Sequence, residues 1–285
     1  FRTGDLGVNS SCRYQGLFFI LSGAGTLGTG HESYLRQELA ADSSIWRICS
    51  WHKNQNAMQV GGKTDEVGWG PYEACRELGA IIATAHEHLY SRTRTLVNTQ
   101  LQTVDPAWPA AETVRVTPGA TFVFVSALGG QSVRDQERCL PTTFPYGCKG
   151  EWASIYTSNQ GAKNGALFIE FNVDGNPNAA RGYFKNTDGM IVDQFTISSQ
   201  PAAPPDRRHT LQRAAAPVPP SMAACTPMRA RLSRPPSTPA PDTRTRGRWR
   251  RGRRRWRPGT VSSNRSTARW PAEPNDDVAN VYFAG

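Results

Sequence analysis

Three of the five histidines in this chain fall in two short segments. His86 and His88 sit one residue apart in Ala83–Arg92 (ATAHEHLYSR), and His52 sits in Cys49–Lys53 (CSWHK). In extended backbone, residues i and i+2 project from the same face, so the H-x-H pair is expected to turn both imidazoles toward one site. In a helix of roughly 3.6 residues per turn they would diverge by about 200°. Gly79–Ala85 (GAIIATA) reads as a buried strand, which favours the strand-end reading, and Ser44–Ser50 (SIWRICS) places His52 just past another strand. In open α/β sheets, ligands gather outside the carboxyl ends of strands. A histidine standing alone is more often an exposed or satisfied side chain than a ligand. The spacing and placement here make His52, His86 and His88 the metal-ligand candidates, and neutral imidazoles suit Zn, Fe or Mn better than Ca or Mg. Asp65 and Glu66, between the two segments, have two readings, a substrate or ligand-supporting role and a solvated loop. His31 reads as an exposed residue at a helix start, and His209 lies in a biased tail.

The elements that would position these residues follow from pattern. Tyr14–Ser22 (YQGLFFILS) is a short apolar run ending in Ser22-Gly23-Ala24-Gly25, as a buried strand and turn would be. His31–Ala41 (HESYLRQELAA) has the spacing of an amphipathic helix. Pro71–Leu78 (PYEACREL) opens with a proline suited to a first helical turn, and Gly79 closes it. Strand, helix, strand predicts an α/β layer with parallel pairing over residues 1–105. Residues 106–200 change character. Thr113–Val116, Thr121–Ser126, Leu167–Asn172 and Ile191–Thr196 are rich in Val, Ile, Phe and Thr between Pro-Gly, Asp-Gly and Gly-Gly turns, so a β-rich continuation of the same domain is expected.

Charge separates the rest. Residues 1–200 carry 16 Lys+Arg against 18 Asp+Glu, a net of −2. Residues 201–285 carry 17 Arg, no Lys and five acids, a net of +12. Fourteen of the 21 prolines also lie after residue 200, and such a composition predicts a disordered Pro/Arg-rich tail. Arg244–Arg257 (RTRGRWRRGRRRWR) has the charge and the tryptophans to bind a phosphate backbone, so nucleic acid is a partner through this run alone. Seventeen arginines without a lysine also read as GC-rich sequence outside the true frame or a retained intron, which would make the segment an artefact of gene prediction.

Apolar runs such as Leu17–Leu21 are too short to span a bilayer. The six cysteines form no C-x-x-C pair, which removes a zinc-finger or thioredoxin reading. Cys139 and Cys148 could close a small loop around Pro141 and Pro145 in an oxidising compartment, the alternative being buried thiols. With the Asn9-Ser10-Ser11 sequon, this fits a secreted or lumenal protein.

Ser50-Trp51-His52-Lys53, a helix, then Gly79 to His88 with Tyr90 and Arg92, resembles the last two blocks of calcineurin-like metallophosphoesterases, in the purple acid phosphatase-like branch. There an isolated His precedes G-H-x-H by a few tens of residues, and all three bind metal; Ala85 stands where the Gly usually is. The resemblance covers residues 1–105. Residues 106–200, with Tyr146-Gly147-Cys148 and Gly182-Tyr183-Phe184-Lys185, look like the trailing β portion. It implies a sandwich of mixed β-sheets flanked by helices, a centre of two transition metals (Fe, Zn or Mn), and a phosphoester substrate. His52 and His86 would hold one ion and His88 the other. The family's D-x-H, G-D and G-N-H-[DE] blocks are missing from the sequence. Gly4-Asp5 matches G-D in letters, but no G-N-H follows it and Leu6–Asn9 reads as a turn, so Asp5 is not assigned. The chain begins at Phe1, and the expectation is the C-terminal part of a hydrolase, inactive on its own. The alternative is a non-catalytic binding module derived from such an enzyme.

Overall fold

Residues 81–84 read IIAT, and in the computed structural model they form a four-residue strand buried along its whole length. Ile81 and Ala83 enter one core and Ile82 another, as the two-residue strand period requires. Apolar residues on both faces demand cover on both faces, and the architecture supplies it. The structure describes residues 5–199 and 280–283, the last four by backbone alone. The tail expectations for 201–279, Arg244–Arg257 included, lie outside the described residues.

In chain order the strands are β1 (Asn9–Tyr14), β2 (Leu17–Ser22), β3 (Arg47–Ser50), β4 (Ile81–Thr84), β5 (Tyr90–Thr93), β6 (Leu96–Asn98), β7 (Thr103–Val104), β8 (Thr113–Val116), β9 (Val123–Ser126), β10 (Trp152–Tyr156), β11 (Gly165–Phe171), β12 (Ala179–Asn186), β13 (Ile191–Ser199) and β14 (Asn280–Phe283). Helix α1 is His31–Ala41 and α2 is Trp69–Glu77. The first sheet runs β1-β2-β3-β4-β9-β5-β10, and the second β14-β11-β12-β13-β8. β2, β3, β4 and β9 pair in parallel, whereas the outer strands of the first sheet pair antiparallel.

Both sheets are mixed, and they pack face to face. Ile48, Ile81 and Phe124 of the first meet Val114, Ile169, Phe184 and Ile197 of the second. On its other face the first sheet presents Ile20, Cys49, Ile82 and Val123 to Leu35 and Leu39 of α1 and to Tyr72 and Cys75 of α2. The order of layers is therefore helices, sheet, sheet. No helix among the described residues is long and apolar enough to cross a membrane.

Three local features were missed or only half read in the sequence. The run over 14–22 conceals a hairpin, because Gln15 (φ 47°) and Gly16 (φ 80°) turn β1 into β2; both central residues adopt positive φ, as in a type I′ turn, but Gln is not among the residues that usually signal one. Helix α2 begins two residues before Pro71 and ends with Gly79 at φ 68°. Gly79 N–H donates to Arg76 O and Ala80 N–H to Cys75 O, the paired bonds of a Schellman cap. Finally, Cys49 on β3 and Cys75 on α2 face each other in the helix-side core and are joined as a disulfide. The Cys139–Cys148 loop is closed as expected, and no described cysteine is free. Asn9 of the sequon is buried, and its Oδ1 accepts from Ser22 Oγ at 2.9 Å.

Tyr90 and Arg92, which follow the H-x-H pair, turn away from the histidines and into the seam between the sheets. Arg92 is 1% exposed, and its Nε and Nη2 donate to Asp193 Oδ2 and Oδ1 at 2.7 and 2.9 Å. Tyr90 OH donates to the same carboxylate at 2.6 Å, and the guanidinium lies 3.9 Å from the centre of the Phe195 ring. Burial, followed by the Asp193 charge, pushes the Tyr90 phenol well above its ordinary range. A buried bidentate pair costs desolvation that only complete pairing offsets. Arg92→Met is therefore expected to lower stability by about 3–5 kcal/mol in denaturant unfolding, with Arg92→Met/Asp193→Leu recovering most of the loss. A single variant no less stable than the double would contradict this.

Candidate metal centre

Parallel pairing brings the two histidine segments together. Beyond the last paired residues of β3 and β4 the ladder continues into the loops. Trp51 N–H donates to Ala83 O, and Ala85 N–H donates to His52 O at 3.1 Å. Asn54 Nδ2 ties the same turn from the side, donating to Ala85 O at 2.6 Å. The result sets His52 Nε2 3.0 Å from His86 Nδ1, with ring centroids 4.8 Å apart. His52 is exposed and His86 half-buried, so the pair is open to solvent on one side.

The expectation that His86 and His88 share one extended face is not met. β4 ends at Thr84, the chain bends over 86–89, and His86 has φ 64°. That left-handed conformation redirects the backbone between the two rings, so the strand period no longer applies. His88 Nδ1 instead faces Ser132 O at 3.1 Å. A carbonyl only accepts, so Nδ1 carries the proton and Nε2 is left as the acceptor. His52 and His86 are brought together, and His88 has its own backbone anchor.

Glu66 completes the environment of the pair. Its Oε2 lies 3.0 Å from His86 Nε2, and its Oε1 accepts from Lys53 Nζ at 2.5 Å. The sequence offered no way to choose between a solvated loop and a role at the site, because Glu66 is brought in by a 13-residue excursion from Lys53. That excursion is held by amides. Gln55 Oε1 accepts from Val67 N and Gly68 N, each at 2.8 Å, while Asn56 Nδ2 and Gln59 Nε2 donate to Lys63 O at 2.6 and 2.8 Å. A run of Asn and Gln between two histidines was the signal available. Asp65 accepts from Asn56 N at 2.7 Å.

Charge follows from this packing. Burial, then the Lys63 and Lys53 ammonium groups, hold the His52 imidazole below its ordinary range. Burial and Lys63 do the same to His86 against the opposing pull of Glu66. Burial pushes the Glu66 carboxyl up, but Lys53 and His86 outweigh it and leave the group below the usual range. Both shifts favour the neutral ring, the form that can ligate metal. Two imidazole nitrogens at 3.0 Å fit two donors of one ion, whose Zn–N bonds are about 2.0–2.1 Å. Among the described residues, the one group of three possible donors within 4.8 Å of one another is Cys139, Cys148 and Glu151, and its sulfurs are joined in the disulfide and offer no thiolate.

Among solved structures, the chain is similar to the purple acid phosphatase PPD1 from yellow lupin (Lupinus luteus) seeds, with a TM-score of 0.45 and 17% identity. The match covers 67% of this chain and 32% of that one, so the chain spans about a third of that neighbour's length. No protein-family model matches the chain, and no curated protein does.

An NMR titration of the ring protons is expected to place the midpoints of His52 and His86 below the ordinary histidine value of about 6.5. A midpoint at or above that value for either ring would contradict the electrostatic account.

Proposed function

We propose that this chain supplies the histidine corner of a metal-dependent phosphoester hydrolase, with His52 and His86 holding one ion and His88 available to a second. The observation that carries the reading is the 3.0 Å approach of His52 Nε2 to His86 Nδ1 on loops that leave neighbouring parallel strands. The resemblance of the CSWHK and ATAHEHLYSR segments to metallophosphoesterase blocks supports the same reaction class, and it names the substrate as a phosphoester. Zn, Fe or Mn bound there would polarise a phosphoryl oxygen and lower the pKa of a bound water.

This chain's own residues have simpler tasks. His52 and His86 present neutral nitrogens on an open face. His88 offers Nε2 because its Nδ1–H is committed to Ser132 O. Lys63 has its backbone carbonyl fixed by two side-chain amides, and its charge reaches both rings. It is the cation we assign to the substrate's phosphate. No carboxylate among the described residues bridges the pair to His88, so the chain alone is proposed to be inactive. A non-catalytic binding module is the second reading, and the same incomplete donor set favours it.

Calorimetric titration of the purified chain with Zn²⁺ is expected to show one site, weakened at least tenfold by His52→Ala and by His86→Ala, with no hydrolysis of a generic aryl phosphate above background. Absence of Zn²⁺ binding would overturn the metal reading. Turnover by the chain alone, abolished by His86→Ala, would overturn the inactivity.

A further inference from the structure

Cys49–Cys75 and Cys139–Cys148 differ in exposure. Both sulfurs of the first pair are sealed in the helix-side core, whereas Cys148 is exposed and Cys139 is 6% exposed. The neck of the second loop is also held without its sulfurs. Gly147 N–H donates to Cys139 O at 2.9 Å, and Gln136 Nε2 donates to the same carbonyl at 3.0 Å. With their Cα atoms 4.7 Å apart, Cys139 and Cys148 stay neighbours when the bond between them is open. Two groups at the start of β10 complete the surroundings. Trp152 Nε1–H donates to Cys139 Sγ at 3.2 Å. Glu151 is 1% exposed, its Oε2 accepts from Lys149 N at 2.9 Å, and its backbone carbonyl accepts from Arg94 N–H at 2.7 Å. One ligand atom from each of Cys139, Cys148 and Glu151 lies within 4.8 Å of the other two.

We propose that Cys139–Cys148 is a redox-gated metal site: a small dithiol opens it at Cys148, and the freed thiolates take a thiophilic divalent ion together with Glu151. One thiolate of the dithiol attacks the exposed Cys148 Sγ, the S–S bond breaks, and its electron pair departs on Cys139 Sγ. The Trp152 N–H stabilises the charge on that leaving sulfur. The dithiol's second thiolate then attacks the dithiol sulfur bonded to Cys148. This closes the dithiol's own disulfide and releases Cys148 as a thiolate. Two electrons pass to the protein, and the dithiol is oxidised.

The opened donor set has the chemistry of a zinc site. Thiolate sulfur selects Zn²⁺ or Co²⁺ over Ca²⁺ and Mg²⁺. Donors on one tetrahedral ion, with Zn–S near 2.3 Å and Zn–O about 2.0–2.2 Å, lie roughly 3.5–4 Å from one another. Small movements therefore seat all three, and water takes the fourth position. An ionised carboxylate has about four lone-pair sites, so the Lys149 N–H uses one, fixes the orientation of Glu151 and leaves the rest for the ion. Joined sulfurs offer no thiolate, so binding waits on reduction. The site uses neither His52 nor His86 and does not depend on the phosphoesterase reading.

The test has two arms, both on the full chain under native conditions. After brief exposure to dithiothreitol, alkylation and peptide mapping are expected to find Cys139 and Cys148 modified and Cys49 and Cys75 protected. Modification of Cys49 and Cys75 first, or of all four together, would overturn the proposal. In the second arm the dithiol is removed without air and Co²⁺ is added. The reduced chain is expected to gain the near-ultraviolet charge-transfer band of thiolate-bound Co²⁺, which imidazole ligation at the histidine pair does not give. The band is expected to be absent from the unreduced chain and from Cys139→Ser/Cys148→Ser. Losing even an outer partner of a metal site costs about 10–100-fold in affinity, so Glu151→Gln is expected to weaken Co²⁺ binding by at least that much while the alkylation pattern is kept. A reduced chain without the band, or a band whose Co²⁺ dependence ignores Glu151→Gln, would overturn the proposal. Should the double serine variant not fold, the reduced and alkylated wild-type chain is the thiol-blocked control.

Discussion

The candidate centre depends on one constraint, the parallel register of β3 with β4. Ser50 pairs with Ala83, and the ladder then runs two bonds further through Trp51 and Ala85. This continuation holds the backbone of His52 beside that of Ala85, one residue before His86. Shifted by a single residue, the pairing would turn Ile48, Cys49 and Ile82 to the wrong faces. The core that fixes the fold therefore also fixes the distance between the two rings.

Around that fixed pair the chain has built an asymmetric support. On one side, the loop after β3 returns through Asn54, Gln55, Asn56 and Gln59, whose side-chain amides take the place of a regular ladder. On the other, His88 is tied to the segment after β9, through Ser132 O and through Arg134 N–H donating to His88 O. Beneath both, the Cys49–Cys75 disulfide joins the strand that leads to His52 with the helix that carries Tyr72. Buried polar networks are costly unless satisfied, and satisfied ones specify a single arrangement. Glu87, between the two ligand candidates, has neither carboxylate oxygen hydrogen-bonded within the protein and lies 3.6 Å from Arg134 Nη1. Burial raises its pKa despite that cation.

Much of this was legible in the sequence because it depends on local periodicity. Helix α1 falls on the residues the pattern gave, β4 and β9 lie inside their apolar runs, and the parallel order of β2, β3 and β4 follows from strand–helix–strand spacing. The positions of His52 and His86 past strand ends were legible for the same reason. What failed depended on single backbone torsions or on long-range partners. The positive φ of His86 takes it off the extended face it was expected to share with His88, and no residue type demanded it. The hairpin at Gln15 lacked its usual residues. Glu66, Asp193 and the Cys49–Cys75 pair acquire their roles only from contacts made across many residues.

Anomalous diffraction from a crystal of the chain soaked in Zn²⁺ tests the central claim most directly. The account predicts a single peak between His52 Nε2 and His86 Nδ1, about 2.0–2.1 Å from each nitrogen. A peak bound elsewhere, with these two nitrogens left free of metal, would contradict it.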